Sequence, residues 1–126
     1  KVSEEQLVQA VHKAALDTSS QLIGFTGRIV WEEIPYIELA VEGEVTPDFH
    51  DRVENALRSV NIEYESKRES NRLQPLRIRP LAKGAYDRFR KHKVQSGAPA
   101  GQIKDPLVAM NDDEWMAILR AAQESC

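Results

Sequence analysis

The chain has a single cysteine, Cys126, at its last position, so it can form no internal disulfide and cannot assemble a thiolate zinc site. That usage fits a reducing compartment, and a cytoplasmic location is expected. Positive charge is not in excess either: 17 Lys and Arg against 20 Asp and Glu give a formal net charge of -3. Without a global positive field, counterion release has little to hold a polyanion with, so no nucleic-acid partner is expected, and a single-strand RNA-binding sheet is left as a third reading with little support. No apolar run approaches the roughly twenty residues that a spanning helix needs, and no signal sequence opens the chain. A soluble protein with no membrane partner is therefore expected. Catalytic fingerprints are missing as well: there is no G-x-S-x-G, no Walker loop and no G-x-G-x-x-G. His12, His50 and His92 lack the H-x-x-x-H spacing of a metal site, so no metal ligands are assigned. These absences leave no support for a free-standing hydrolase or nucleotide-binding enzyme.

What is present is one domain's worth of sequence. With 126 residues the chain can bury a modest core, but it is short for an enzyme that must enclose a nucleotide and a second substrate. It reads as a part of something larger, and a first residue of Lys1 fits an excised fragment.

Ser3 and Gln6 have the spacing of a capping box, Val2 and Leu7 that of a hydrophobic staple, and Leu7, Val11 and Ala14 share one helical face. A first helix over about 4–16 follows. Ile23, Phe25, Ile29 and Trp31 alternate with Gly24, Thr26, Arg28 and Val30, and Ile37, Leu39 and Val41 alternate with Glu38, Ala40 and Glu42. The two strands read as a hairpin, turned by Glu32, Glu33, Ile34 and Pro35, whose second strand is half-solvated. Thr46-Pro47-Asp48 supplies a cap, a proline at the first helical position and an acid in the first turn of a helix buried along Phe49, Val53, Leu57 and Val60. Residues 61–72 fit a short solvated helix or a loop.

Leu73, Leu76 and Ile78 alternate with Arg77 and Arg79, which predicts a third strand ending before Pro80. Tyr86, Phe89 and Val94 predict a helix after Gly84, and Asn111 with Glu114 caps a last helix carrying Trp115, Ile118 and Leu119. The expected fold is α+β: a small mixed sheet, a hairpin plus a further strand, packed with about four helices.

Several polar groups invite a chemical reading. Gln102-Ile103-Lys104-Asp105-Pro106 places one lysine in a loop punctuated by Gly97, Pro99 and Gly101. Phosphoryl and adenylyl transfer build negative charge on non-bridging oxygens, which a positioned ammonium stabilises. A solvated lysine beside Asp105 is the commonplace alternative. Arg77 and Arg79 share a strand face and can receive a phosphate, or can simply balance Glu38 and Glu42. Arg88, Arg90, Lys91, His92 and Lys93 resemble a nucleic-acid patch only by charge, and a solvated helix face near a C-terminal dipole accounts for them. Glu32 with Glu33, and Asp112 with Asp113, fit a hairpin turn and a helix first turn rather than an acid/base dyad.

The order of these pieces resembles the C-terminal domain of the Gretchen Hagen, or auxin-responsive promoter, family of acyl-acid amido synthetases in the acyl-adenylate-forming superfamily. The likeness runs from Lys1-Val2-Ser3-Glu4, similar to the start of the domain after its hinge, through Glu54, Ala56 and Leu57 to Leu76-Arg77-Ile78-Arg79 and Gly84-Ala85-Tyr86, which resemble the family's helix, strand and Gly-Thr-Phe turn. Ser96-Gly97-Ala98 and Gln102-Ile103-Lys104-x-Pro106 resemble its late Gly-Ala loop and Gln-aromatic-Lys-x-Pro motif. The sequence departs from the family at Ile103, Asp105 and Leu107, where an aromatic, a neutral residue and an arginine are usual. It departs also at Lys83, where a proline is common, which suggests a bacterial or otherwise divergent member.

The resemblance implies that residues 1–126 are a single C-terminal lid domain of a larger enzyme, inactive alone, whose partner is the N-terminal adenylation domain of the same chain. It implies ATP and Mg2+ in the full-length enzyme, a carboxylic acid and an amine such as an amino acid as substrates, Lys104 as the catalytic residue reaching the α-phosphate, and Gln102 with Lys104 at the nucleotide. The alternative from another class is a stand-alone module with a ferredoxin-like sheet, sensing a ligand or docking a protein without catalysis.

Overall fold

In the computed structural model, which describes residues 2–95, 97 and 112–123, the described residues form five helices and three strands. The first helix, α1 (Glu4–Thr18), starts as its sequence dictates: Ser3 Oγ accepts the Gln6 N–H at 3.1 Å, and Gln6 Oε1 accepts the Ser3 N–H at 3.1 Å. Ser19 in the left-handed region ends it at Thr18, two residues beyond the expected Leu16. Strands β1 (Gln21–Val30) and β2 (Tyr36–Glu44) pair antiparallel as a hairpin, and β3 (Arg77–Leu81) lies parallel to β2, from Glu38 opposite Arg77 to Glu42 opposite Leu81.

A parallel neighbour requires a crossover. Here it is made by α2 (Phe49–Val60) and α3 (Ile62–Glu69), the segment that the sequence left open. Asn61 sets the corner between them: its Oδ1 accepts the Tyr64 N–H at 2.8 Å, and its Nδ2 donates to Gln6 Oε1 at 2.8 Å. The expected cap of α2 is different in detail. Thr46 donates its hydroxyl to Asp48 Oδ1 at 2.5 Å, Asp48 makes no side-chain capping bond, and Pro47 lies ahead of the helix.

The sheet order is β1-β2-β3, which makes β2 central. Its odd residues Ile37, Leu39 and Val41 join Leu7, Val11, Phe25, Val53, Leu57 and Leu76 in the main core beneath α1 and α2. Successive side chains on a strand face opposite ways, so Glu38, Ala40 and Glu42 point to the other side, where α4 (Ala85–Gln95) and α5 (Asp112–Gln123) pack through Tyr86, Phe89, Ile118 and Ala121. Both faces are covered, and every residue from Tyr36 to Glu42 is buried. The half-solvated second strand is thereby corrected: its polar alternation faces a second helical layer, not water. The third strand also continues through Pro80 to Leu81, which an edge strand tolerates because one flank needs no donors. The α+β class and the small mixed sheet stand, with five helices described rather than about four.

Candidate functional site

Lys104 and Gln102, with their neighbours Ile103, Asp105 and Leu107, lie outside the described residues. The structure does describe the two helices that bracket them in sequence, α4 and α5, and how each is fastened to the sheet.

Helix α4 begins at Ala85 after Lys83-Gly84, so no serine, threonine, aspartate or asparagine precedes it to accept its first N–H groups. Glu42, at the end of β2, does so instead. Its Oε2 accepts the Gly84 N–H at 2.6 Å and its Oε1 accepts the Tyr86 N–H at 2.9 Å. The carboxylate is 2% exposed, so both oxygens are spent on a helix N-terminus, where the backbone dipoles favour negative charge. Gly84 has φ +90, in the left-handed region that suits glycine, and this lets the chain turn from β3 into α4 above that carboxylate. Tyr86 then lies over Gly24 of β1. A Cβ at position 24 would stand 2.6 Å from Tyr86 Cδ2, while the Tyr86 hydroxyl and Thr26 Oγ1 share a 2.6 Å hydrogen bond.

Helix α5 is held from the same face. Arg28 of β1 donates through Nε and Nη2 to Glu38 Oε1 at 3.0 and 2.8 Å, and its guanidinium carbon sits 4.4 Å from the centroid of the Trp115 ring. The same guanidinium reaches Asp112 Oδ1, at the first residue of α5, at 3.6 Å. Trp115 is fully buried, and among the described residues its Nε1 finds no hydrogen-bond acceptor. The helices are tied to each other where Arg88 Nε donates to the Ala121 carbonyl at 2.6 Å. These contacts fasten α4 by its N-terminal turn and α5 by its first turns to one face of the sheet.

The other candidates resolve into structural roles. Arg79 Nε donates to Glu38 Oε2 at 2.9 Å, and Arg77 stacks 3.9 Å from the Tyr36 ring centroid and bonds Gln74. Of the plainer reading, in which Glu38 and Glu42 balance Arg77 and Arg79, the described residues show only the Arg79–Glu38 pair. In the basic helix, Lys91 pairs with Asp87 at 3.1 Å and Lys93 lies 5.5 Å from the Phe89 ring centroid. His12 packs edge-on to Phe25, and among the described residues no group of His, Cys, Asp or Glu could hold a metal ion. Among them, too, no helix is long and apolar enough to cross a membrane.

On the opposite face Glu54 of α2 is a third buried carboxylate, beside Glu38 and Glu42 on the first. Burial alone would raise its pKa, but the Tyr64 hydroxyl at 2.6 Å, Arg68 Nε at 2.6 Å and the Leu76 N–H at 3.1 Å overcome that and lower it. Tyr64 is correspondingly pushed up, by its burial first and by Glu54 second. A cleft of about 550 Å³ opens between the start of α1, α3 and the hairpin, over Leu7, Trp31, Tyr36 and Leu73. None of its lining residues belongs to α4 or α5, although Arg28, which holds α5, is among them.

Sequence reading missed Glu42 and took it for a solvated strand residue. The available signal was the missing cap: a helix preceded by Lys83-Gly84 must find its acceptor elsewhere in the fold.

The layers define an α+β domain in which a three-stranded sheet carries helices on both faces. The family model described as the GH3 family C-terminal domain matches residues 5–113. The chain belongs to the GH3 family, as a C-terminal domain. Two similar solved structures are "GH3.15 acyl acid amido synthetase", at 23% identity and a TM-score of 0.80, and "AtGH3.15 acyl acid amido synthetase in complex with 2,4-DB", at 22% identity and a TM-score of 0.78. Both matches cover 99% of this chain, and 25% and 24% of the respective relatives, so the chain spans about a quarter of their length. At these identities the likeness carries the fold. Among curated proteins no match was found.

Proposed function

We propose that the chain is the closing lid of an ATP-dependent acyl-acid amido synthetase, which activates a carboxylate as an acyl-adenylate and passes the acyl group to an amine. The observation that carries this reading is the family match over 5–113, a span that contains Gln102 and Lys104 of the Gln-x-Lys-x-Pro pattern. Lys104 neutralises the charge that develops on the α-phosphate as the carboxylate attacks, and Gln102 contributes a polar contact to the nucleotide. The carboxylate pocket, the amine site and most of the nucleotide site belong to an N-terminal adenylation domain of the same chain. Mg2+ is expected to accompany ATP there.

Closure is required on electrostatic grounds. A unit-charge pair at about 4 Å is worth roughly 1 kcal/mol in water and roughly 4 kcal/mol at an effective dielectric near 20. An ammonium on an open lid therefore contributes little, and the same ammonium covered by a second domain contributes much. Rotation of the lid about a hinge near Lys1 brings it in for adenylation and withdraws it for acyl transfer.

The test uses the complete enzyme. Lys104→Ala is expected to lower carboxylate-dependent ATP–pyrophosphate exchange by about a hundredfold or more while leaving the unfolding midpoint unchanged. Wild-type exchange in that variant removes the catalytic role.

A further inference from the structure

We propose that the cleft between the start of α1, α3 and the hairpin is the face by which this domain docks on the N-terminal domain of its own chain; the inference rests on the reading just given and names the surface that the partner covers. The floor of the cleft is apolar and closed, since Leu7, Tyr36, Ile37 and Tyr64 are all buried. One wall is different. Trp31, just past the end of β1, is 79% exposed, and Ile29 on the same wall is exposed as well. An indole left in water beside an apolar hollow of about 550 Å³ makes a continuous apolar patch, and such a patch marks a contact surface.

The occupant follows from the path of the chain. Val2 and Ser3 line the cleft, and Ser3 caps α1 through its reciprocal bonds with Gln6, so the polypeptide enters the domain at the mouth of the cleft and turns at once into a fixed helix. The chain matches a C-terminal domain and spans about a quarter of the relatives it resembles, which on this reading puts the N-terminal domain ahead of α1. A domain tethered at that point meets the cleft at the effective concentration of a short linker, in roughly the millimolar range, against which a separate molecule competes poorly. A modest apolar face is then enough, as it is in interfaces between domains of one chain.

The rim says what the covering surface carries. Arg72 gives its hydrogen bonds to two neutral groups, Ser70 Oγ at 2.7 Å and Ser66 Oγ at 3.4 Å, whereas Lys67 lies one helical turn from Glu63 and is balanced by it. The facing surface is accordingly apolar at its centre, where it receives Trp31, with a carboxylate at its edge for Arg72.

Hydroxyl-radical footprinting read by mass spectrometry tests this, because it follows the solvent access of single side chains. The complete enzyme is compared with the 126-residue chain, which has a core on each face of its sheet, without ligand and then with ATP and Mg2+, since a rotating lid presents the cleft in one of its positions. Oxidation of Trp31 is expected to be at least about fivefold slower in the complete enzyme in one of the two conditions, because the centre of an interface is desolvated. Leu16 is the control. It is 82% exposed and lies roughly 20 Å along α1 from Ser3, and it is expected to react equally in both proteins. The partner is identified with an Arg72→Lys variant of the complete enzyme: carbodiimide coupling is expected to join position 72 to an acidic residue ahead of this domain, within one molecule.

Equal Trp31 rates in the two proteins under both conditions overturn the proposal. So does a coupled product of doubled mass, or protection of Trp31 that appears in the 126-residue chain as its concentration rises, since either means that a second copy covers the cleft. The catalytic reading is tested apart from this. A protected Trp31 with a silent Lys104→Ala leaves the docking face standing and removes the role of the lysine, and an unprotected Trp31 with a severe Lys104→Ala does the reverse.

Discussion

The two faces of the sheet are held by different kinds of force. Beneath α1 and α2 the core is aliphatic and extensive, with Leu7, Val11, Leu39, Val53 and Leu57 all 4% exposed or less. Beneath α4 and α5 the buried cluster is smaller, Tyr86, Phe89, Ile118 and Ala121 with Leu81 and Ala117 against it, and polar contacts join it: Glu42 on a helix start, Arg28 on Glu38 and over Trp115, Tyr86 on Thr26. Hydrophobic burial stabilises without choosing a direction, whereas hydrogen bonds fail when they are misaligned. The first face therefore supplies most of the stability, and the second supplies geometry. The motif lysine belongs in sequence to the second.

The comparison predicts that the largest effects on folding come from the first face. Leu57 is fully buried, and Leu57→Ala is expected to cost about 2–5 kcal/mol through lost burial and the cavity left behind. Urea denaturation of the 126-residue chain measures it. A loss below about 1 kcal/mol would show that the site collapses freely and that this face is less tightly packed than argued.

A smaller global effect with a sharper location is expected at Gly24. A Cβ there meets the Tyr86 ring at 2.6 Å, so Gly24→Ala must displace the ring and, with it, the hydroxyl bonded to Thr26. Overpacking of this kind costs about 1–3 kcal/mol. Amide hydrogen exchange should show protection falling first at α4, with α1 and α2 little changed. Uniform loss over both layers would mean that the faces are not separable.

How far the sequence revealed this division depends on the range of the contacts. Elements fixed by near neighbours were legible: the Ser3–Gln6 capping box, the Phe49, Val53 and Leu57 stripe, and the helices around Tyr86 and Trp115. Contacts between distant residues were not. Glu38 and Glu42 alternate with apolar neighbours as on a solvated strand, and only the arrival of Arg79, Gly84 and Tyr86 from later in the chain makes that face interior. Strand β1 misleads in the other direction: Phe25 is buried, yet Ile23, Ile29 and Trp31, which share its alternation, are exposed. Lys104 was singled out by family resemblance, because a lysine between loop residues has no local mark that separates it from a solvated one.

The smallest predicted effect is a pH dependence confined to the first face. His50, on α2, donates from Nε2 to the Leu76 carbonyl and places Nδ1 3.1 Å from Asp51 Oδ1. With Nε2–H already donating, Nδ1 carries a proton only in the imidazolium, so the Asp51 contact selects the charged ring. Burial lowers the pKa of His50, but the Leu76 carbonyl, Asp51 and, more weakly, Glu54 outweigh it, and the pKa is raised above the ordinary 6.5. A group whose pKa is raised by folding stabilises fully below its unfolded value and loses that contribution as pH rises through the folded value. Stability from this contact is thus present below pH 6.5 and declines above it. The ring is partly exposed and solvent-screened, so the gain is below about 1 kcal/mol. The difference in urea midpoint between wild type and His50→Gln is expected to narrow as pH rises from the acid side through the raised pKa. A difference that widens with pH would show that folding favours the neutral ring, and that the Asp51 contact does not hold the charged form.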